Sequence, residues 1–210
     1  MVSQESSNDS RTKILRAAEA EFAQKGYDGA RVDAIAARAG VNKALLYYYF
    51  KNKAALLETL LAEYLAGLQD AKDQVPVPTS SEGMRDYGAQ VLQAFVQFTR
   101  QRLDLIRLVL LEELKGNSVS PLVKAWKTEW ERTTTWAADQ GLGEPPAPGQ
   151  DVFNFFFEDL PLLMFLVVNP RWSQAMGQDP RATEQMFFSL AQAQSDAYWS
   201  RRYPDVPRTL

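Results

Sequence analysis

An all-α fold of roughly nine helices is the architecture this sequence predicts, on three observations. Apolar residues recur three, four and seven positions apart along most of the chain, the spacing of one helical face. No segment alternates apolar and polar residues between hairpin turns, so strands are not expected. Clusters of glycine, proline and serine punctuate the chain at intervals that leave segments of helix length. With 210 residues, 46% of them apolar, there is material for a genuine core.

The opening MVSQESSNDS has neither a positive leader nor an apolar run. It is expected to be a disordered tail, residues 1–10, with no secretion signal, which places the protein in the cytoplasm. From Arg11 onward, Ile14, Leu15, Ala18, Phe22 and Ala23 mark one face of a first helix, with Asp9 or Ser10 as N-cap and Gly26 as its stop. A short second helix fits Val32 to Ala39, with Ile35 and Ala36 inward and Gly40 as the left-handed residue that ends it. A third helix follows within three residues and runs to about Phe50, and two short helices around a tight glycine turn form a helix-turn-helix pattern.

A fourth helix starts near Lys53 and carries Leu56, Leu57, Leu60, Leu61, Tyr64, Leu65 and Leu68 inward until QVPVPTSSEG breaks it. Further helices are expected at about Met84 to Arg102, Leu103 to Lys115, Pro121 to Gln140, Asp151 to Val168 and Arg181 to Arg202. Gly116 to Ser120, GLGEPPAPG and NPRWSQAMGQDP are the expected breaks, and Pro161 is expected to kink its helix because it lacks the N–H that the ladder needs. The domain division this suggests is a helix-turn-helix domain over residues 11–56 and a helical body over residues 57–210.

The chain has neither cysteine nor histidine, which removes disulfides, imidazole-based triads and the usual zinc sites. No catalytic residue, cofactor or metal ligand is assigned, and an enzyme is not expected. A remote alternative is an all-α enzyme working through Glu112, Glu113, Glu158 or Asp159. The longest apolar run is interrupted by Glu158, Asp159 and Pro161, so no membrane span is expected.

The net charge of −3 is unevenly spread. Residues 1–53 carry nine Lys or Arg against six Asp or Glu, whereas residues 54–210 carry 14 against 20, and no acid stands between Asp33 and Glu58. Within that basic stretch lies NKALLYYYFKNKAALL, Asn42 to Leu57. A helix turns about 100° per residue, so Tyr47, Tyr48 and Tyr49 cannot share a face. Leu46 and Phe50 are the core positions with Ile35 and Phe22, Tyr49 is expected to be partly buried, and Lys43, Ala44, Tyr47 and Tyr48 are left toward the outside. Phenol hydroxyls can donate to phosphate oxygens and ammonium groups can pair with them, so the outward set fits a nucleic-acid backbone.

ILRAAEAEFAQKGYDGARVDAIAARAGVNKALLYYYFKNKAALL, Ile14 to Leu57, resembles the TetR family of bacterial transcriptional regulators in an ungapped register of glycine, aromatic and lysine positions over about a fifth of the chain. The resemblance implies a DNA-binding regulator, a repressor released from double-stranded operator DNA by a small-molecule effector. Lys43, Ala44 and Leu45 would then begin the groove-facing helix. Tyr47, Tyr48 and Lys53 would meet the backbone, and Arg31 and Val32 would lie near phosphates. Ala30 and Arg31 stand where the family often caps the second helix with Thr or Ser, and Leu45 where Thr is common, which suggests apolar readout of a thymine methyl. A homodimer is implied through Asp151 to Val168 and Arg181 to Arg202. An effector pocket is expected among Phe98, Trp126, Trp130, Phe157 and Glu158, with a carboxylate orienting an otherwise apolar ligand. The bland reading of Glu158 and Asp159 has one facing solvent and the other meeting Arg107 or Arg181. The alternative to the regulator is a ligand-binding or protein-interaction module that has lost DNA affinity.

Overall fold

The computed structural model describes residues 4–77, 81–116, 121–139 and 146–202. In order they form α1 (Gln4–Gly29), α2 (Val32–Ala39), α3 (Lys43–Tyr49), α4 (Lys53–Asp73), α5 (Ser81–Arg100), α6 (Leu103–Leu114), α7 (Pro121–Asp139), α8 (Gln150–Phe153), a π-helical turn (Asn154–Asp159), α9 (Leu160–Met176) and α10 (Pro180–Arg202). Because α8, the π turn and α9 run on without a break, the described residues make nine helical rods and no strand, the all-α fold expected. Met1 to Ser3, Pro78 to Ser80, and most of the breaks expected at Gly116 to Ser120 and in GLGEPPAPG lie outside the described residues.

The first compact unit spans Met1–Trp136. Its core is continuous from Ile14, Phe22, Ile35 and Leu46 to Leu56, Leu60, Leu105 and Val109, all fully buried. α1 packs on α2, α4 and α6, so the division expected after residue 56 runs through shared packing. Helix α1 does not begin at a cap near residue 10: it reaches back to Gln4, and Asp9 accepts from Lys13 at 2.5 Å, an i,i+4 pair that supports a helix. Gly26 breaks that helix as expected, with φ 67° and ψ 173°. Gly67 is used differently, since a Cβ there would lie 2.6 Å from Cζ of Phe98. That absence of side chain lets the Phe98 ring sit over α4, 5.7 Å from the Tyr64 ring, while the Tyr64 and Thr99 hydroxyls meet at 2.8 Å in the core.

The second unit, Ala137–Leu210, is an antiparallel pair. Phe153 stacks on Tyr198 and Phe165 on Phe187, so the rod of α8, π turn and α9 runs against α10. The irregularity expected at Pro161 takes the form of the π turn before it. Proline cannot donate to the carbonyl four residues back, and Gln194 Nε2 of α10 donates to that carbonyl, Phe157 O, at 3.2 Å.

One expectation fails in this unit. The stop read at NPRWSQAMGQDP is wrong in place: α9 continues through Pro170 to Met176 and ends at Gly177, φ 65°. Asn169 is buried and braces the hairpin, its Nδ2 donating to Pro180 O at 3.0 Å while its Oδ1 accepts from Ser173 Oγ at 2.7 Å. Asp179 then caps α10 by accepting from the N–H groups of Arg181 and Ala182. Within the phenylalanine run, Phe153 is inside whereas Phe156 and Phe157 are more than half exposed.

Candidate nucleic-acid interface

The two short helices owe their placement to a glycine and two asparagines. Gly40, at φ 69° and ψ 29°, ends α2 in the left-handed conformation and passes its N–H back to the Ala36 and Ala37 carbonyls. Asn42 then caps α3, its Oδ1 accepting from Leu45 N at 2.8 Å, and Asn52 caps α4 in the same way toward Ala55 N at 2.8 Å. Sequence reasoning missed both caps, although an Asn just ahead of each apolar run was the available signal. Arg31, at the N-cap position of α2, makes no side-chain cap, which fits the departure noted at that position.

Leu46 and Phe50 anchor the third helix in the core as expected, with Tyr49 half-buried against the rings of Tyr48 and Phe50. The outer face of the same helix carries Lys43, Ala44, Tyr47 and Tyr48, and Tyr48 is 79% exposed. Arg31 is exposed beside them in sequence at the start of α2, while Val32 and Leu45 are half-buried. The Lys43 ammonium pairs with the Asp33 carboxylate of α2 at 2.7 Å. That bond, and then the charge itself, hold the lysine above its ordinary pKa. The pair is exposed, so salt screens it and a competing phosphate can replace the carboxylate.

Lys53 is arranged otherwise than the resemblance implies. Its Nζ donates to three carbonyls, Tyr27 O at 2.5 Å, Ala30 O at 3.2 Å and Asp28 O at 3.3 Å, and sits 4.5 Å from the Tyr27 ring centroid. An ammonium has three N–H groups, so all are spent on the turn that joins α1 to α2. Lys53 therefore positions the turn that ends in Arg31. Lys115 braces the same turn from α6, donating to Asp28 Oδ2 at 2.8 Å and to the buried Glu112 at 2.6 Å.

The expected pocket residues are divided between the two units. Phe98 covers Gly67, and Trp126 and Trp130 stack on each other, ring centroids 5.5 Å apart, all three in the first unit. Phe157 and Glu158 belong to the second unit. Glu158 Oε1 accepts from Ser195 Oγ of α10 at 2.7 Å, and in the first unit Arg107 donates to Asp104 Oδ1 at 2.9 Å.

Residues 14–60 match the family model described as bacterial regulatory proteins, tetR family. Over 176 residues, 81% of this chain and 81% of the relative, the sequence is 42% identical to the HTH-type transcriptional repressor SCO4008 of Streptomyces coelicolor. In fold it is similar to a TetR-like transcriptional regulator from Rhodococcus sp. RHA1, with a TM-score of 0.57 at 16% identity over 87% of this chain and 93% of that one. It is also similar to the fatty acid degradation regulator FadR from Bacillus halodurans, with a TM-score of 0.55 at 21% identity over 86% and 93%. No helix among the described residues is long and apolar enough to cross a membrane. With its capped reading helix exposed on a buried anchor, the chain belongs to the TetR family of DNA-binding transcriptional regulators.

Proposed function

We propose that this regulator is a homodimeric repressor that a small-molecule effector releases from its operator, and that it performs no catalysis. The observation that carries the reading is the outer face of α3. Lys43, Ala44, Tyr47 and Tyr48 are exposed there on a helix whose opposite face, Leu46, is fully buried. Lys43, Ala44 and Leu45 would meet base edges, while Tyr47, Tyr48, Arg31 and Val32 would lie along the backbone. The repressor sense is supported by the name of the 42% identical relative.

Dimerisation is supported by an apolar stripe on the second unit. Met164, Val168, Trp172 and Met176 follow at i,i+4 along α9, Met186 and Leu190 along α10, and each is at least 40% exposed. All but Met176 border a groove of about 470 Å³ that contains almost no polar surface. Such a stripe is costly to leave in water and is proposed to meet its copy. It extends the interface expected through 151–168 and 181–202 by two turns of α9. Two reading heads so joined must meet half-sites about 34 Å apart or at a related spacing, so an effector that prefers another separation weakens DNA binding.

For the effector, the first unit offers support on α4 and α7. Arg132 Nε of α7 and Gln69 Oε1 of α4 are buried with no hydrogen-bond partner among the described residues, on the helices that carry the Lys72–Glu129 pair and the Trp126–Trp130 stack. An aromatic or apolar molecule with one acceptor and one donor fits those groups. The deciding experiment is anisotropy of labelled DNA from the gene's own upstream region at two salt concentrations, with unrelated DNA as control. Selective binding that weakens with salt is expected. Equal binding to both DNAs, followed by failure of a random-sequence selection to yield a site, would overturn the repressor reading in favour of an interaction module.

A further inference from the structure

A second polar feature of the first unit lies away from α3. Where α1 passes the two-residue corner between α5 and α6, it presents Ala20 and Ala23, and their small side chains leave a cleft of about 500 Å³. That is the size of small-molecule sites. Its walls carry Arg16, Arg100, Arg102 and Arg107 against only Glu19 and Asp104. Arg102 Nε donates to Glu19 Oε1 at 2.8 Å and Arg107 donates to Asp104 Oδ1 at 2.9 Å. A guanidinium has five N–H groups, so these two ion pairs leave most of the donors unspent. Arg16 has no ion pair among the described residues, and the first turn of α6 opens at the same corner without a side-chain cap. Four guanidinium groups, two carboxylates and the positive end of a twelve-residue helix make a cleft with a surplus of positive charge and planar donors.

We propose that this cleft binds a small polyanion bearing phosphate or carboxylate groups, held bidentately by Arg16 and Arg107 and clamped between α1 and the α5–α6 corner. Guanidinium groups match both oxyanions geometrically, and the half-apolar floor accepts a short carbon or sugar body. Because α1 belongs to the DNA-reading region and α6 to the helical body, an occupant ties one to the other, and its presence is readable in DNA affinity.

The test is calorimetric titration of the full chain, without DNA, by inorganic pyrophosphate and separately by citrate at low salt. A saturable site at one per chain is expected, and whichever probe binds more tightly identifies the anion. Arg16→Ala and Arg107→Ala should each weaken it by about tenfold or more, while Lys43→Ala leaves it unchanged. Absence of saturable binding for both probes overturns the proposal, as does unchanged binding in both arginine variants or a loss confined to Lys43→Ala, which would place the anion on the DNA-reading face. Operator binding by the same preparations is measured in parallel. A protein that binds operator and no small anion keeps the repressor reading and loses this one.

Discussion

The helix-turn-helix region and the α9–α10 hairpin solve opposite problems with the same helical material. In the first, polar groups are matched one by one. Asn42 and Asn52 cap their helices, Lys53 takes three carbonyls, Lys43 meets Asp33, and Arg38 reaches Gln24 at 2.8 Å across to α1. In the second, aromatic rings stack along the seam and a row of methionine, leucine and tryptophan side chains is exposed on the single chain. A surface that reads a fixed polar ligand needs a rigid frame assembled from directional bonds, whereas a surface that meets another apolar face needs only a continuous stripe.

The largest effect expected from breaking that contrast is on the stripe. Charges introduced at Met186→Glu and Leu190→Glu should convert the dimer to a monomer by sedimentation. Operator affinity should fall by about two orders of magnitude or more, because each half-site is then bound alone. Helicity by circular dichroism should be retained, since both side chains are more than 60% exposed in the single chain. A double variant that remains dimeric and binds operator normally would remove the stripe from the interface.

Next in size is Pro170→Ala. Proline in a helix interior forfeits a hydrogen bond and crowds the carbonyl four residues earlier, here Leu166, a cost of about 3 kcal/mol. If α9 runs through this position, alanine should raise stability to urea by a substantial part of that amount. No gain would mean that the chain breaks at Asn169 as its sequence suggests.

Smaller, and confined to the DNA-reading region, is the contrast between two lysines. Lys43→Ala should weaken operator binding about tenfold and reduce the slope of log affinity against log salt by about one, the signature of a lost phosphate contact. Lys53→Met should also weaken binding, by loosening the turn before Arg31, yet leave that slope unchanged and lower thermal stability. A reduced slope for Lys53→Met would return this residue to the backbone-contacting set.

What was legible in the sequence follows the same division. Helices α2 and α3, the glycine turn and the buried set Phe22, Ile35, Leu46 and Phe50 are readable because local periodicity and a left-handed glycine determine them. The outward face of α3 is readable for the same reason. Lys53 is not, since its three partners lie 23 to 26 residues earlier and only tertiary packing brings them near. The continuation of α9 through Pro170 was equally hidden. Local rules make Asn-Pro a stop, and it is overridden by Asn169 bonding to Pro180 across the hairpin and by the apolar residues that follow. The bond from Ser195 to Glu158 was hidden too, because a neutral group on another helix is revealed by no charge pattern.

The smallest effect concerns the link between the α1–α2 turn and α6. Asp28 lies below its ordinary pKa of 3.8 because Lys115 hydrogen-bonds its carboxylate and adds charge to the bond, and Lys115 lies above its ordinary 10.5 through Asp28 first and Glu112 second. A lowered carboxylate pKa stabilises the fold fully above the unfolded value, and the contribution fades as pH falls through the lower folded value. A raised lysine pKa acts below 10.5 and fades as pH rises through its folded value. The tie is therefore complete between about pH 5 and pH 9. Asp28→Asn removes the acid limb while leaving Glu112 its partner. Its urea midpoint should fall slightly below that of the native chain across this window, by less in high salt because the pair is exposed, and the two midpoints should converge below pH 3.8. A difference that persists undiminished in acid would show that Asp28 acts through its backbone turn and not through its charge.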